Sequence, residues 1–530
     1  MTGQPAASVL TTSVETDGLN AHLLRHAVAL PNGVALVEQD RVVTYGALPQ
    51  LVDDAAALLK TLDVRAGDRV MLVCENCIDL LVATMACWKI DAWPVLINAR
   101  IAAREVDQIR QHCAPRRILF GIENSAAARD HAERYSAVRL QNGPLGAMAA
   151  SSTDIAAVAE PVPDHISDRC AVMLYTSGST GTPKGVMLSH RNVMLNARAV
   201  ADLLGVAPGD RIYCALPLSH ILAFTHMFLV PLLTGATVEL MPRFDVADVF
   251  TALSDRGVTV LYGVPASFQR MLDQVALSSK AAVDAPDLRF ALVAGAPLDA
   301  TLKARIEEAL GAPLLNHYGS TEHAPNISGS RWTHPPTGVH VGPLIPGVEA
   351  RLVASDGTVL GDGATGVLQV RSACVMLGYY KAPDLTAAVI DADGWFDTGD
   401  IAHFDTEGNL HIVGRAKELI IRSGFNVYPA EVEAVLNAHP AVAQSAVVGR
   451  SVPDNEEVVA FVELAPGASL DAATLRRHAE ANLAPYKRPS EIRILDALPC
   501  NATGKILKPQ LKIMAAEIAE DRQPEQSTAA

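Results

Sequence analysis

The sequence predicts an α/β protein, with a large N-terminal domain of layered α/β sheets that includes a β-rich subdomain, and a small α+β C-terminal domain. Between about residues 20 and 300, short apolar runs alternate with longer Ala- and Leu-rich stretches, as in RVMLV followed by DLLVATMACWKI. This alternation is typical of parallel strands that are connected by helices. Residues 347–413 instead show short strands separated by turn signals such as ASDGTVLGDGATG, which indicates the β-rich subdomain.

The C-terminal part begins after the segment GRAKE, where helical AEVEAVLNAHP and the apolar runs QSAVVG and VVAFVEL follow. We therefore place an N-terminal domain at residues 1–416, with its β-rich part at about 347–416, and a C-terminal domain at 417–530. A chain of 530 residues is long for a single core, which favours such a division. The polar tail EDRQPEQSTAA is expected to be disordered, because it has few apolar residues to bury.

The amino-acid composition limits which partners and which cellular compartment are expected for the protein. Hydrophobic residues make up 49% of the chain and charged residues 19%, as in a globular protein. A formal net charge of −15, without a compensating Lys/Arg cluster, argues against nucleic acid as a partner. The eight cysteines are scattered and form no disulfide framework, and the N-terminus lacks the features of a signal peptide. We therefore expect a cytoplasmic protein.

Two segments resemble functional features but are better explained as parts of the protein core. Cys74 and Cys77 have the spacing of half a zinc site, but Cys74 ends an apolar run and no second CxxC follows. Buried core thiols are the better interpretation, and no metal is expected there. Residues 212–238 contain no Lys, Arg, Asp or Glu and are long enough to span a bilayer. Pro217, Pro231 and Gly235 interrupt them, so we expect buried core segments and no transmembrane segment.

The segment YTSGSTGTPKG, residues 175–185, has the composition of a loop that holds phosphate. Its glycines let backbone N–H groups converge on an anion, while the Ser and Thr hydroxyls and Lys184 donate to phosphate oxygens. It is not the GxxxxGK[ST] loop, because Pro183 precedes Lys184 and Gly185 follows it. A flexible linker is the alternative. However, apolar runs at 171–174 and 186–188 flank the loop, which favours a loop held between two strands.

The segment NHYGSTEHAP, residues 316–325, places a tyrosine, a hydroxyl and a carboxylate close together. The ring of Tyr318 has the shape to lie on a purine. Taken alone, Glu322 fits a solvated loop acid equally well, and Tyr318 a core aromatic. With a polyphosphate loop elsewhere in the chain, Glu322 becomes the candidate ligand for Mg²⁺, because this cation prefers carboxylate and phosphate oxygens.

Two further segments contain candidate residues for binding a nucleotide. In GWFDTGDIAHFDTEGNLHIVGRAKELI, residues 394–420, we expect Asp400 in a turn between strands, where it can accept both hydroxyls of a ribose. Arg415 can bind the same ribose or a phosphate. Both residues also fit an ordinary turn acid and a surface arginine. In NATGKILKPQL, residues 501–511, Lys505 lies in a turn with apolar flanks, although a lysine near a terminus is usually only solvated.

Five motifs in this order, YTSGSTGTPKG, HYGSTE, WFDTGD, GRAKELIIRSGFNVYPAEVE and TGK, resemble the adenylate-forming superfamily. This superfamily includes acyl-CoA synthetases, adenylation domains of nonribosomal peptide synthetases, and luciferases. The resemblance extends from about residue 44 to 511 and implies use of ATP, Mg²⁺ and coenzyme A. It further implies that a carboxylate attacks the α-phosphate of ATP, pyrophosphate leaves, and a thiol then takes the acyl group.

The resemblance also implies which residues form the site. Those expected to bind nucleotide or coenzyme A are Thr176, Ser177, Gly178, Ser179, Thr180, Gly181, Lys184, Gly295, Ala296, Pro297, Tyr318, Gly319, Thr321, Asp400, Arg415, Gly424 and Lys505. Those expected to act in catalysis are Lys505, Glu322, Thr180, Lys184 and His220, with Glu322 as the metal ligand.

By the same resemblance, the opening loop holds the β- and γ-phosphates, residues 295–297 and Tyr318 enclose adenine, and Asp400 binds the ribose. Lys505 then bridges the carboxylate and the α-phosphate. The small C-terminal domain is implied to be mobile and to rotate about a hinge at Lys417. Its rotation replaces Lys505 with Gly424, which lines the channel for the pantetheine arm.

The segment PLSHILAF, residues 217–224, matches the motif that borders the acyl pocket, with His220 as its histidine. It lacks the aspartate that amino-acid-activating relatives use, so we expect an apolar fatty, alicyclic or aryl acid. Only 25 residues follow Lys505, too few for a fused carrier domain, which favours free coenzyme A. A stand-alone enzyme that loads a separate acyl carrier protein is the alternative, and a luciferase-like oxygenase is a distant one. A homodimer is a candidate assembly.

Overall fold

The structure, a computed structural model, describes residues 18–141, 143–177, 183–278, 282–423, 425–452, 455–465, 467–500 and 506–520. Six predicted site residues lie outside the described residues, namely Gly178, Ser179, Thr180, Gly181, Gly424 and Lys505. Ser177 is described by its backbone only, and the tail from residue 521 onward is also outside.

The α-helices of the described chain are α1 (Asn20–Ala29), α2 (Leu48–Thr61), α3 (Ile78–Lys89), α4 (Ala103–Cys113), α5 (Ala126–Arg134), α6 (His190–Leu204), α7 (Val230–Thr234), α8 (Val246–Asp255), α9 (Pro265–Leu277), α10 (Ala300–Leu310), α11 (Pro383–Ala387), α12 (Pro429–Asn437), α13 (Ala472–Asn482) and α14 (Lys508–Glu520). Among them, α3 and α12 overlap the predicted helical stretches DLLVATMACWKI and AEVEAVLNAHP. A π-helical stretch, Ala223–Leu229, leads directly into α7.

The strands fall into a long N-terminal series and a shorter C-terminal one. They are β1 (Val34–Glu38), β2 (Arg41–Thr44), β3 (Arg69–Cys74), β4 (Trp93–Asn98), β5 (Arg117–Gly121), β6 (Val138–Arg139), β7 (Met148–Ala150), β8 (Cys170–Ser177), β9 (Pro183–Ser189), β10 (Arg211–Cys214), β11 (Thr237–Leu240), β12 (Val260–Gly263), β13 (Phe290–Val293), β14 (Leu314–Asn316), β15 (Tyr318–Gly319), β16 (Asn326–Ser328), β17 (Glu349–Val353), β18 (Gly366–Arg371), β19 (Gly378–Tyr379), β20 (Phe396–Phe404), β21 (Leu410–Arg415), β22 (Ile420–Arg422), β23 (Phe425–Val427), β24 (Val442–Val452), β25 (Asn455–Leu464) and β26 (Glu491–Leu495).

Two large sheets with parallel centres form the N-terminal part, as the alternating pattern predicts. One sheet has eight strands in the order β19-β9-β8-β4-β3-β5-β7-β6, and the other has seven in the order β14-β13-β12-β10-β11-β1-β2. Every residue of β3 is buried, because helices cover both faces of this strand. The α/β fold class that the sequence predicts for the large N-terminal part is therefore confirmed.

The uncharged segment at 212–238 is part of the buried core. Its β10 and β11 are neighbouring strands of the seven-stranded sheet, and the π-helical stretch and α7 between them belong to the same hydrophobic cluster as α3. Trp88 of α3 stacks on Phe228 at a ring-centroid distance of 5.7 Å, and its indole N–H donates to the carbonyl of Ala171 at 2.6 Å. Within the described ranges, no helix has both the length and the apolar character needed to cross a membrane.

The β-rich subdomain is a four-stranded antiparallel sheet in the order β17-β18-β20-β21. The expectation that Asp400 lies in a turn is wrong, because this residue lies inside β20 and is paired with Arg415 of β21. The sequence DTGD has a turn-like composition, but its Gly399 lies within the strand and adopts a φ of +68°, a conformation that favours glycine. The pairing register also shifts close by, between Ile401 and Ala402. The glycine therefore marks an irregular strand instead of its end.

The C-terminal part begins after a 3₁₀ turn that contains Lys417. The short hairpin β22–β23 follows, and then a three-stranded sheet in the order β24-β25-β26 that packs against α12, α13 and α14. At the start of α14, Lys508 forms ion pairs with Glu418 of the 3₁₀ turn at 3.0 Å and with Glu433 of α12 at 2.9 Å. These contacts attach α14 to both the turn and α12.

The cysteines of the chain are unpaired thiols. Cys74 and Cys77 are both buried in the core, where the sequence interpretation places them, and Cys500 is exposed. Burial raises the pKa of the Cys113 thiol to about 12 and that of the Cys374 thiol to about 11, so both stay protonated at neutral pH.

Candidate functional site

Most of the described site residues lie after the carboxyl ends of parallel strands. The phosphate-loop segment leaves β8 and returns as β9, and the segments with Gly295 and Tyr318 follow β13 and β14. In open α/β sheets, ligands bind at this edge, because adjacent loops separate there and leave a crevice. The fold therefore collects motifs that lie far apart in the sequence.

The ends of the phosphate-loop segment are held in a hairpin. Thr176 of β8 pairs with Lys184 of β9, so the hydroxyl and the ammonium come from directly opposed positions. The Tyr175 hydroxyl and Nδ1 of His112 are hydrogen-bonded at 2.6 Å, which fixes the base of the hairpin to α4. The Nζ of Lys184 lies 5.0 Å from the ring centroid of Tyr379, within range of a cation–π contact.

The candidate adenine-binding segment at 295–297 lies beside Tyr318. Val293 of β13 pairs with Asn316 of β14, and the next residue along, His317, donates its backbone N–H to the Val293 carbonyl at 3.1 Å. Gly295 has a φ of +83°, a conformation that favours glycine. Gly319 is required for a different reason, because a Cβ at that position would lie 1.9 Å from the carbonyl oxygen of Pro325.

Tyr318, Asp400 and Arg415 form a connected group of polar side chains. The Tyr318 hydroxyl donates to Oδ2 of Asp400 at 2.5 Å, and the Arg415 Nε lies 3.1 Å from Oδ1 of the same carboxylate. Asp400 is only 6% exposed. Burial, and then the charge of Asp400, raise the pKa of Tyr318 well above its usual value, so its hydroxyl remains a donor.

Glu322 lies in a 3₁₀ turn, Thr321–His323, that is tied to the segment before β19. The backbone N–H of Met376 donates to the Glu322 carbonyl at 2.8 Å, and the Tyr379 hydroxyl donates to Oε1 of its carboxylate at 2.8 Å. Burial lowers the pKa of Arg415, but the negative charges of Asp400, Glu418 and Glu322 outweigh this and raise it. Glu322 and Asp400 therefore act electrostatically on one guanidinium.

The donor set around Glu322 fits Mg²⁺. The described part of the chain contains no group of three or more His, Cys, Asp or Glu side chains that could hold a metal ion. A single carboxylate with phosphate oxygens and water is the usual environment of Mg²⁺ at a nucleotide, because this ion loses its water reluctantly. The residues present therefore suit a metal that arrives with the nucleotide.

His220 is exposed just before the π-helical stretch, and its backbone N–H donates to the Pro217 carbonyl at 2.8 Å. A buried polar chain that sequence reasoning missed begins at His226, within the π-helical stretch. His226 and Oδ1 of Asn326 are 2.9 Å apart, Nδ2 of Asn326 and Nδ1 of His317 are 2.9 Å apart, and His317 contacts the Ser330 carbonyl at 3.2 Å. Burial lowers the pKa of His226 to about 3 and that of His317 to about 4, so both rings are neutral.

The described residues therefore bring together Lys184 and Glu322 through Tyr379, and Tyr318 and Arg415 through Asp400. The chain on both sides of the segment that contains Lys505 is paired, because Cys500 forms a β-bridge with Ile506.

Sequence reasoning missed Tyr379 as a member of the site. Its only signal is the pair of adjacent tyrosines at 379 and 380, which an apolar core explains equally well.

Two family models match the chain. The model described as "AMP-binding enzyme" matches residues 23–380, and the model described as "AMP-binding enzyme C-terminal domain" matches residues 431–505. Together they contain the hairpin of Lys184, the turn of Glu322 and the segment that ends at Lys505.

Curated relatives and solved structures agree with these models. The chain is 34% identical over 508 residues to a feruloyl-CoA synthase from Amycolatopsis sp, covering 94% of this chain and 99% of that protein. It is 33% identical over 507 residues to an indoleacetate–CoA ligase from Aromatoleum aromaticum, covering 93% and 97%. The structure of an o-succinylbenzoate coenzyme A synthetase from Bacillus subtilis, in complex with ATP and magnesium ion, superposes with a TM-score of 0.78 at 28% identity and covers 93% of this chain and 99% of that one.

Proposed function

The chain belongs to the AMP-binding enzyme family, and from this membership we propose that it is an AMP-forming acid–CoA ligase. It uses ATP, Mg²⁺ and coenzyme A to convert a carboxylic acid into its CoA thioester. The observation that carries the proposal is a set of contacts between the candidate residues: Tyr379 contacts both Lys184 and Glu322, and Asp400 pairs with both Tyr318 and Arg415. Lys184, Glu322, Tyr318 and Asp400 are residue types that an ATP-dependent activation of a carboxylate requires.

The reaction has two balanced steps. In the first, a carboxylate oxygen of the acid bonds to the α-phosphorus of ATP, the bond to the β-phosphate oxygen breaks, and pyrophosphate leaves. In the second, the thiol sulfur of coenzyme A bonds to the acyl carbon, the acyl–oxygen bond breaks, AMP leaves with the bonding electrons, and the thiol proton passes to solvent.

The residues of this chain suit the first step. Thr176 and Lys184 would hold the phosphates that leave, and Asp400 would accept the ribose hydroxyls while Tyr318 lies against the base. Mg²⁺ held by Glu322 would offset the negative charge of the two reacting anions. Lys505 would contact the carboxylate and the α-phosphate, and so stabilise charge that develops in the transition state.

The second step is proposed to require a rotation of residues 417–530 about Lys417. Lys505 and Gly424 both follow this residue in the chain, so a single rigid-body movement can exchange them. Support comes from the fold, because Lys417 lies in a short 3₁₀ turn between β21 of the β-rich sheet and the hairpin β22–β23. A short turn between two packed parts is where a hinge absorbs changes in φ and ψ.

The acid is proposed to be an apolar fatty, alicyclic or aryl carboxylic acid. The segment that follows His220 is buried and mostly apolar, with Phe224, Met227 and Phe228 among its members. Its polar residues Thr225 and His226 are hydrogen-bonded within the protein. The named acids of the two relatives, ferulate and indoleacetate, are both aryl acids, which supports placing this class first. The alternative acceptor remains a separate acyl carrier protein, and a luciferase-like oxygenase stays a distant third.

We further propose a cytoplasmic enzyme without nucleic-acid partners, and a homodimer as its assembly. The reduced thiols of the buried cysteines support a reducing compartment. The net charge of −15 supports the absence of a polyanionic partner.

The function is tested by AMP release with a panel of acids. We expect acid-dependent AMP release that requires coenzyme A, with ferulate, indoleacetate or a fatty acid preferred over an amino acid or a dicarboxylate. Release that requires a carrier protein instead would support the alternative acceptor. A strict preference for an amino acid or a dicarboxylate would contradict the proposed acid class, and formation of ADP would contradict the reaction.

A further inference from the structure

We propose that Tyr379 is a positioning residue that orients the metal-binding carboxylate of Glu322 and couples it to Lys184 at the phosphate loop. This inference rests on the proposed function, because it concerns the same nucleotide site. Tyr379 lies outside the sequence motifs from which the function was inferred. Its contacts with Glu322 and Lys184 are visible only in the folded structure.

The hydroxyl of Tyr379 determines how the Glu322 carboxylate is held. It donates to Oε1 at 2.8 Å across a separation of 57 residues. A carboxylate held at one oxygen by a rigid donor can present the other to a cation in a single orientation. Such partners of metal ligands typically change metal affinity by about 10- to 100-fold when they are removed.

The ring of Tyr379 also contacts the phosphate-loop hairpin. Tyr379 pairs with Val186 of β9, and Lys184 lies two residues before Val186 on the same face of that strand. A residue at this diagonal position is within reach of an aromatic ring, and the Lys184 Nζ lies 5.0 Å from the ring centroid. One side chain thus contacts both the metal-ligand candidate and the phosphate-binding ammonium.

The backbone around Tyr379 is rigid enough for such a role. Its N–H donates to the Thr386 hydroxyl at 2.9 Å, and the flanking Leu377 and Tyr380 donate to the carbonyls of Met187 and Gly185 at 2.9 and 2.8 Å. The side chain is only 6% exposed. Burial, followed by the charge of Glu322, raises the pKa of the Tyr379 hydroxyl, so it stays protonated and remains a donor.

Tyr380 provides a matched control on the same strand segment. It is 4% exposed, and its hydroxyl donates to Oε1 of Glu160 at 2.6 Å. Tyr380→Phe therefore removes a similar buried tyrosine–carboxylate hydrogen bond one residue along the chain. The carboxylate in this case is that of Glu160, which is outside the proposed nucleotide site. A general loss of packing or stability would affect both variants, whereas a role at the metal would affect only Tyr379→Phe.

The test is ATP binding without acid, measured by calorimetry over a series of free Mg²⁺ concentrations. We expect Tyr379→Phe to raise the Mg²⁺ concentration at half-maximal binding by about 10- to 100-fold. Tyr380→Phe should leave it within about twofold of the wild-type value, because its partner lies elsewhere. Adding Tyr379→Phe to Glu322→Gln should cause no further shift, since the hydrogen bond then has no metal ligand to orient.

Equal Mg²⁺ dependence in Tyr379→Phe and the wild type would overturn the inference, as would equal shifts in the two tyrosine variants. Thermal unfolding of each variant identifies any loss of fold. AMP release by the wild type tests the proposed function separately, so a normal Tyr379→Phe variant in an active enzyme rejects only the positioning role.

Discussion

Replacement of Lys505 by alanine is expected to slow ATP–pyrophosphate exchange by about 10²–10³-fold, because one preorganised cation at developing charge contributes roughly 3–4 kcal/mol. Binding of ATP should change much less, since the phosphate-loop residues and Asp400 remain. Transfer from a supplied acyl adenylate to coenzyme A should also persist, because the proposed rotation removes Lys505 before the second step. Two assays are compared for each variant: ATP–pyrophosphate exchange for the first half-reaction, and thioester formation from a synthetic acyl adenylate for the second.

The matched control is Lys512→Ala. Lys512 is exposed on α14 and lies seven residues after Lys505, so its loss removes the same charge from the same part of the chain. We expect both half-reactions of this variant to stay within about twofold of the wild type, as is usual for exposed positions. If Lys505→Ala slowed both half-reactions equally, its proposed restriction to the first step would be rejected.

Replacement of Asp400 by alanine is expected to raise the KM for ATP by about 100-fold in the exchange reaction. Hydrogen bonds to a charged group contribute about 1.5–3 kcal/mol each, and a buried donor left without a partner costs about 1–3 kcal/mol. The variant loses the proposed ribose acceptor and also leaves the Tyr318 hydroxyl without its carboxylate. The adenine-side tyrosine therefore loses the contact that orients it.

Asp405→Ala is the control for this variant, because Asp405 directly follows the same strand. Its carboxylate accepts backbone hydrogen bonds from Glu407 and Asn409 and pairs with His411 at 3.1 Å, contacts that hold the turn between β20 and β21. We expect a lower unfolding temperature with an unchanged KM for ATP. A normal KM in Asp400→Ala, or equal increases in both variants, would reject the ribose role of Asp400.

Sequence reasoning was most successful where one local pattern determines the structure. The buried run of β3 followed by α3 was predictable, since a continuous apolar strand before a long Ala- and Leu-rich stretch fits a parallel α/β unit. The hairpin around the phosphate loop was predictable because its apolar flanks pair as β8 and β9. Asp400 was misplaced because a glycine with positive φ inside a strand resembles a turn in the sequence.

The missed residues depend on contacts between distant parts of the chain. Tyr379 and Glu322 are separated by 57 residues, and His226 and Asn326 by 100. A buried tyrosine or histidine in an apolar stretch is usually a core residue, so the local pattern carries no signal of a partner. Their role is visible only once the strand pairing of β9 with β19 and the packing of the π-helical stretch are known.

The central claim, activation of the acid through an acyl adenylate, is tested most directly with an acid labelled with ¹⁸O in both carboxylate oxygens. Attack of the carboxylate on the α-phosphorus places one labelled oxygen between the acyl carbon and the phosphate. Transfer to coenzyme A then leaves that oxygen on AMP. Mass spectrometry should find AMP with one ¹⁸O and unlabelled pyrophosphate, whereas label in pyrophosphate or unlabelled AMP would contradict the account.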